Sequence, residues 1–171
     1  MKGAEKGFTP HSRYARISLL VDGGADLSSE LSVLRIIDAN LNRVGEGLRF
    51  LEDVARLVLD DVSLTEELKS MRHHLLEGDL KLVKKLIEAR DAEGDVGAFL
   101  QAPGEERERE LPQLVVANSM RVKQSLRVLE EMSKLAKLTP KLDTEKFKKA
   151  RFKFYTIEKE LLAKLKDKVE S

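Results

Sequence analysis

Residues 39–52 read ANLNRVGEGLRFLE and residues 117–130 read ANSMRVKQSLRVLE, so Ala, Asn, Arg, Val, Leu, Arg, Leu and Glu recur in one register. The offset is 78 residues throughout, and Leu68-Lys69-Ser70-Met71-Arg72 is echoed by Phe147-Lys148-Lys149-Ala150-Arg151 at an offset of 79. Both copies sit in stretches of helical period. Around the first, Leu34, Ile37, Leu41, Val44, Leu48, Leu51 and Ala55 recur at steps of three and four and predict one helix over about 30–60. Around the second, Val115, Val122, Leu126, Leu129, Met132 and Leu135 predict a helix that begins near Pro112 and runs to about Leu138.

The punctuation between these stretches completes the reading. Leu27-Ser28-Ser29-Glu30 offers N-cap residues to the first long helix, and Ser63-Leu64-Thr65-Glu66 fits a capping box for a second helix to about Glu77. Gly78-Asp79 acts as stop and restart before a helix from Leu80 to Arg90. The segment DAEGDVGAFLQAPGEE, residues 91–106, is the longest internal loop. Thr139-Pro140 ends the second long helix, and Asp143 caps a last one to about Lys168.

No run of residues alternates in the manner of a strand, so the fold class is all-α. Neither amphipathic hairpin can bury its apolar face alone, which predicts a helical bundle of two pseudo-repeated long-helix/short-helix hairpins about a pseudo-twofold axis. Residues 1–27, with Ile17, Leu19, Leu20 and Val21, read as an N-terminal arm, and 28–171 as a single helical domain. Its halves, about 30–78 and 108–168, are joined by the helix 80–90 and the loop 91–106.

Composition narrows the chemistry. The 31 basic and 30 acidic residues among 171 leave a net charge of +1, which removes the bulk electrostatic case for a nucleic-acid or membrane-surface partner. No cysteine is present, which excludes thiol nucleophiles, Cys-ligated zinc and iron–sulfur clusters, and three histidines make a histidine-rich metal site a poor fit. The start MKGAEKGFTP lacks the apolar core of a signal peptide and no run is long enough to span a bilayer, so the expected location is the cytoplasm. A leftover apolar face on so small a bundle would suit a homodimer.

The repeated polar residues have two readings. As packing glue, Arg49 reaches Asp53 and Glu52 reaches Arg56 at i,i+4, pairs that contribute only a few tenths of a kcal/mol each when exposed. As a ligand site, Asn, two Arg and Glu recur together in both halves, and Arg suits planar recognition of phosphate or carboxylate. Gly45 and Gly47 likewise mark either a close helix crossing or ligand approach to bare backbone. The turn-rich segment 91–97 is either an ordinary loop or a place where N–H groups meet an anion and Asp91 or Asp95 meets a hard cation. His73 and His74 suit a helix surface. There is neither a Gly-x-x-x-x-Gly-Lys-Ser/Thr loop nor a Gly-x-Gly-x-x-Gly loop, so any nucleotide site is unconventional.

Arg35-Ile36-Ile37-Asp38-Ala39-Asn40-Leu41-Asn42-Arg43, followed by Glu46-Gly47-Leu48-Arg49-x-Leu51-Glu52-Asp53-x-Ala55-Arg56, resembles the small helical domain often fused ahead of bacterial thiamine phosphate synthase. Arg72-His73, Arg90-Asp91 to Asp95-Val96-Gly97, Asn118-x-x-Arg121, Leu126 to Glu131 and Arg151-x-x-x-Tyr155 are similar to later blocks in the same order, over about 34–160. The resemblance implies a phosphomethylpyrimidine kinase, a phosphotransferase that passes the ATP γ-phosphoryl group to hydroxymethylpyrimidine monophosphate in thiamine biosynthesis, with Mg²⁺. The alternative is a non-catalytic module that binds a phosphorylated pyrimidine or docks on a separate thiamine phosphate synthase. The chain is too short for that synthase's barrel, which takes about 250 residues.

By this resemblance Arg43, Arg49, Arg90, Asp91, Arg121 and Arg127 are the expected catalytic residues, with the arginines on phosphates. Asn40, Glu52, Asn118, Glu130 and Arg72 are expected to bind substrate, the Asn pair through hydrogen bonds to pyrimidine or backbone. Asp95 or Glu52 is expected to hold Mg²⁺. Gln124 stands where the first copy has Glu46, so a charged role there would not be shared.

Overall fold

The computed structural model describes residues 27–97, 100, 108–135 and 141–170. Expectations for the arm, for Leu138 and for Thr139-Pro140 lie outside these residues, as do the side chains of Leu27, Ser28 and Ser29. Among the described residues the chain is all-helical: α1 (Leu27–Leu57), α2 (Val62–Leu76), α3 (Leu80–Glu88), α4 (Leu111–Met132) and α5 (Thr144–Glu170). None of these helices is long and apolar enough to cross a membrane.

The apolar steps become one core. Ile37, Val44, Leu48 and Leu51 of α1 meet Leu64 and Leu68 of α2, Val115, Val122, Leu126 and Leu129 of α4, and Phe154, Leu161 and Leu165 of α5. Helix α1 packs on α2 and α4, and α5 closes the ring by packing on both α2 and α4, while α3 lies against α1. The directions follow from side-chain bonds. Lys164 meets Asp61 and Lys153 meets Glu67, which sets α5 antiparallel to α2. Arg151 meets Glu130 and Lys123 meets Glu158, which sets α5 antiparallel to α4. Arg72 meets Glu52 across the short α1–α2 turn, so every neighbour in the ring runs antiparallel to the next.

Several boundaries move from their sequence expectations, each for a local reason. Helix α1 already includes Leu27 and stops at Leu57, before residue 60, because the turn needs Asp60 in the left-handed region at φ 53°. The N-cap of α2 is Asp61 rather than Ser63: its Oδ1 accepts from Leu64 N–H at 2.9 Å. Asp79 caps α3 through Lys81 N–H at 3.1 Å, and α3 ends at Glu88. Helix α4 starts one residue before Pro112, with Gln113 Oε1 accepting from Glu110 N–H at 3.1 Å. It stops at Met132 and not near Leu138, where Lys134 N–H and Leu135 N–H turn back to carbonyls three residues earlier. Asp143 caps α5 as expected, accepting from Glu145 and Lys146 N–H groups.

Candidate functional site

Two buried carboxylates organise the polar residues. Glu52, 3% exposed on α1, accepts Arg72 Nε of α2 at 2.9 Å on Oε2 and Arg49 Nη1 at 3.1 Å on Oε1. Glu130, 2% exposed on α4, accepts Arg151 Nε of α5 on Oε1, Arg151 Nη2 at 3.2 Å on Oε2, and Arg127 Nη1 at 3.0 Å on Oε2. A carboxylate this enclosed is costly unless its oxygens are paired, and the arginines supply the pairing. The Arg151 hydrogen bonds, with Arg127 assisting, hold the Glu130 carboxyl below the ordinary value, and Glu130 and Tyr155 push the Arg151 guanidinium up.

These pairings engage five of the residues expected at the site. Arg49, Arg72 and Arg127 spend guanidinium bonds on glutamates, and Arg127 also meets Glu131. Glu52 ties α1 to α2 and Glu130 ties α4 to α5; α5, at 27 residues, is longer than the 22-residue α4, so the expected long-then-short order is seen only in the first half. The expected Glu52–Arg56 pair does not form: Glu52 points inward, and Arg56 instead meets Asp53 at 3.1 Å. Arg49 does reach Asp53, at 3.5 Å.

The loop pair is engaged as well. Arg90 Nε and Nη2 donate to Asp38 Oδ2 at 2.7 Å and Oδ1 at 2.9 Å, and Asp91 Oδ2 accepts Arg35 Nη2 at 3.2 Å. Asp91 Oδ1 and Asp95 Oδ1 accept the N–H groups of Gly94 and Gly97. Among the described residues no three His, Asp or Glu side chains gather into a set that could hold a metal ion. Asp95 thus closes a turn, and Glu52 is shared by two arginines.

Arg43 and Arg121 stand apart. Among the described arginines, only Arg43, Arg109 and Arg121 meet no carboxylate, and Arg43 and Arg121 occupy the same place in the two repeated stretches. Both are exposed. Arg43 stands four residues before Gly47 and Arg121 next to Val122, at a close α1–α4 contact where a Cβ on Gly47 would lie 2.6 Å from Val122 Cγ2 and 3.4 Å from the Asn118 carbonyl oxygen. Gly47 therefore serves a close crossing. Gly45 faces Leu76 of α2 instead.

The asparagines are bound to their own helices. Asn40 Nδ2 donates to Ile36 O at 2.8 Å and Asn118 Nδ2 donates to Leu114 O at 2.9 Å. Asn118 Oδ1 then accepts Arg121 Nη1 at 3.2 Å, which orients that guanidinium without neutralising it. His73 and His74 are exposed on α2, as expected of surface residues. His73 and Glu77 nevertheless line two clefts that motifs and periodicity do not predict. One of about 510 Å³ is lined by Arg72, His73, Leu76 and Glu77. The other, about 530 Å³, is lined by residues of α2 and Glu77. Neither is lined by Arg43 or Arg121.

A family model described as the ThiD2 family matches residues 35–160. A thiamine-phosphate synthase of Rhodopirellula baltica is 47% identical over 106 residues, 61% of this chain and 28% of that protein. A thiamine-phosphate synthase of Nostoc punctiforme is 39% identical over 130 residues, 76% of this chain and 35% of that protein. The chain thus spans about a third of the length of these curated relatives. No solved structure matches it.

Proposed function

The chain belongs to the ThiD2 family, and from that premise we propose that it transfers the γ-phosphoryl group of ATP to hydroxymethylpyrimidine monophosphate in thiamine biosynthesis. A phosphate oxygen of the monophosphate attacks the γ-phosphorus, the bond from that phosphorus to the β,γ-bridging oxygen breaks, and ADP leaves as the pyrimidine diphosphate forms. The acceptor is already an anion near neutral pH, so the reaction asks for neutralised charge and alignment more than for a base.

The observation that carries the reading is the pair Arg43 and Arg121. They are cations at matched positions on α1 and α4, exposed and free of carboxylate partners, beside the same helix crossing. Free guanidiniums suit phosphate oxygens, whereas Arg49, Arg72 and Arg127 already hold glutamates. Asn118 sets the direction of Arg121. Mg²⁺ enters as part of MgATP, a substrate whose phosphates carry the ion and so need few protein ligands.

A second reading has one observation behind it. The named relatives are thiamine-phosphate synthases of which this chain matches about a third, which suits a module that binds a phosphorylated pyrimidine for, or docks on, a separate synthase. Titration calorimetry with MgATP and with the pyrimidine monophosphate tests both readings at the same residues. The kinase reading requires binding of both substrates, lost in Arg43→Ala and Arg121→Ala. Binding of the monophosphate alone supports a module that holds the pyrimidine; binding of neither contradicts the kinase and that module, and docking is then read by co-elution with the synthase.

A further inference from the structure

We propose that Arg35, Asp38, Arg90 and Asp91 form a reciprocal ion-pair latch that positions the Asp91–Gly97 turn against α1, so that Arg90 and Asp91 are positioning residues and not phosphate or metal ligands. The part of this inference that concerns turnover rests on the kinase reading above; the part that concerns the turn does not.

Each side of the latch supplies one cation and one anion. Arg35 and Asp38 lie three residues apart on α1 and so share a face, while Arg90 and Asp91 are consecutive at the exit of α3. Arg90 closes a bidentate bond on Asp38, and Arg35 Nη2 donates to both the carbonyl oxygen and Oδ2 of Asp91, each at 3.2 Å. The crossed arrangement specifies register. A slip of one residue would bring Asp91 toward Asp38, or Arg90 toward Arg35, and like charges would meet.

Burial makes the latch obligatory on one side. Asp38 is 8% exposed and, among the described residues, receives one further side-chain bond, a long one from Asn42 Nδ2 at 3.4 Å, so Arg90 is its main compensation. Buried Leu86 and Ala89 seat the end of α3 in the core immediately before Arg90, whose half-exposed side chain lies over Asp38. Asp91 then transmits the attachment into the turn. While Oδ2 holds Arg35, Oδ1 accepts Gly94 N–H at 2.9 Å, and a Cβ on Gly94 would lie 2.4 Å from Asp91 Oδ2. Asp95 Oδ1 continues the same construction with Gly97 N–H at 2.8 Å. The turn is thereby fixed two helical turns along α1 from Arg43.

Amide hydrogen exchange at Gly94 and Gly97, read on the full resting chain without nucleotide, tests the latch independently of any activity. Arg90→Gln, Arg35→Gln and Asp38→Asn should each speed Gly94 exchange by about tenfold, and Arg90→Gln with Asp38→Asn should do no more than either alone. In turnover, the same variants should lower kcat while the KM for MgATP and for the pyrimidine monophosphate stays within about twofold. Arg90→Lys should restore part of the protection, because it keeps the charge and loses the fork. Should Asp38→Asn fail to fold, the half-buried Arg35→Gln carries the exchange arm with Arg90→Gln. Unchanged Gly94 exchange in Arg90→Gln and Arg35→Gln would overturn the latch. So would weaker binding of inorganic phosphate on adding Arg90→Gln to Asp38→Asn, since that is the signature of a phosphate ligand.

Discussion

Arg151 of α5 grips both carboxylate oxygens of Glu130 on α4, with Nε on Oε1 and Nη2 on Oε2, while Arg127 holds Oε2 from the same helix as the glutamate. Arg72 and Arg49 close on Glu52 in the other half. Removing one partner of the Glu130–Arg151 pair leaves the other enclosed with a single remaining partner, Arg127 for Glu130 or Tyr155 for Arg151. Glu130→Ala should cost about 2–3 kcal/mol in urea denaturation, and Arg151→Ala a similar amount.

The same pair sets an acid limb. The Glu130 carboxyl titrates below its ordinary value of 4.5 chiefly because Arg151 hydrogen-bonds it, and Asp61 lies below 3.8 because of Lys164 and the Leu64 N–H. A group whose folded pKa is depressed contributes stability above its unfolded value and loses it as pH falls through the folded one. Unfolding free energy should therefore hold from neutral pH down to about 4.5 and decline below it. Glu130→Gln should flatten that decline, as followed by urea midpoints across the pH range.

The two helix glycines should respond oppositely. Gly47→Ala drives a methyl against core Val122 at 2.6 Å and should destabilise by about 1–3 kcal/mol. Gly45→Ala meets only the tip of Leu76, at 3.0 Å, a side chain 40% exposed and able to move. There the helix propensity of alanine should keep stability level or raise it by up to about 1 kcal/mol. Thermal melts of the two variants decide the comparison.

Capping offers a third contrast. Asp61→Ala should cost about 1 kcal/mol in urea denaturation through loss of the Leu64 bond, with a further loss from Lys164, while exposed Ser63→Ala should change stability by less than about 0.5 kcal/mol.

The all-helical architecture was legible because apolar steps of three and four run unbroken through Ile37, Leu41, Val44, Leu48 and Leu51, and through Val122, Leu126 and Leu129. The boundaries were less so, because tertiary partners choose among caps. Asp61 prevails over Ser63 while bonding Lys164, 103 residues away. Ser133 bonds Thr144 Oγ1 at 2.8 Å where α4 has already ended. Within the site, the motif residues could be picked out but not sorted. What separates Arg43 and Arg121 from Arg49 and Arg127 is a buried glutamate, and that glutamate turns inward to meet an arginine 20 or 21 residues further on. Nearest-neighbour spacing on one helix does not show such a partner.

The kinase reading is tested most directly by incubating the purified chain with MgATP and hydroxymethylpyrimidine monophosphate and following ADP and pyrimidine diphosphate together. One diphosphate should form per ADP, with kcat/KM reduced by at least about a hundredfold in Arg43→Ala and in Arg121→Ala while both melt within a few degrees of the parent. Absence of diphosphate from the folded parent chain, or full turnover in the Arg43→Ala, Arg121→Ala double variant, would contradict it.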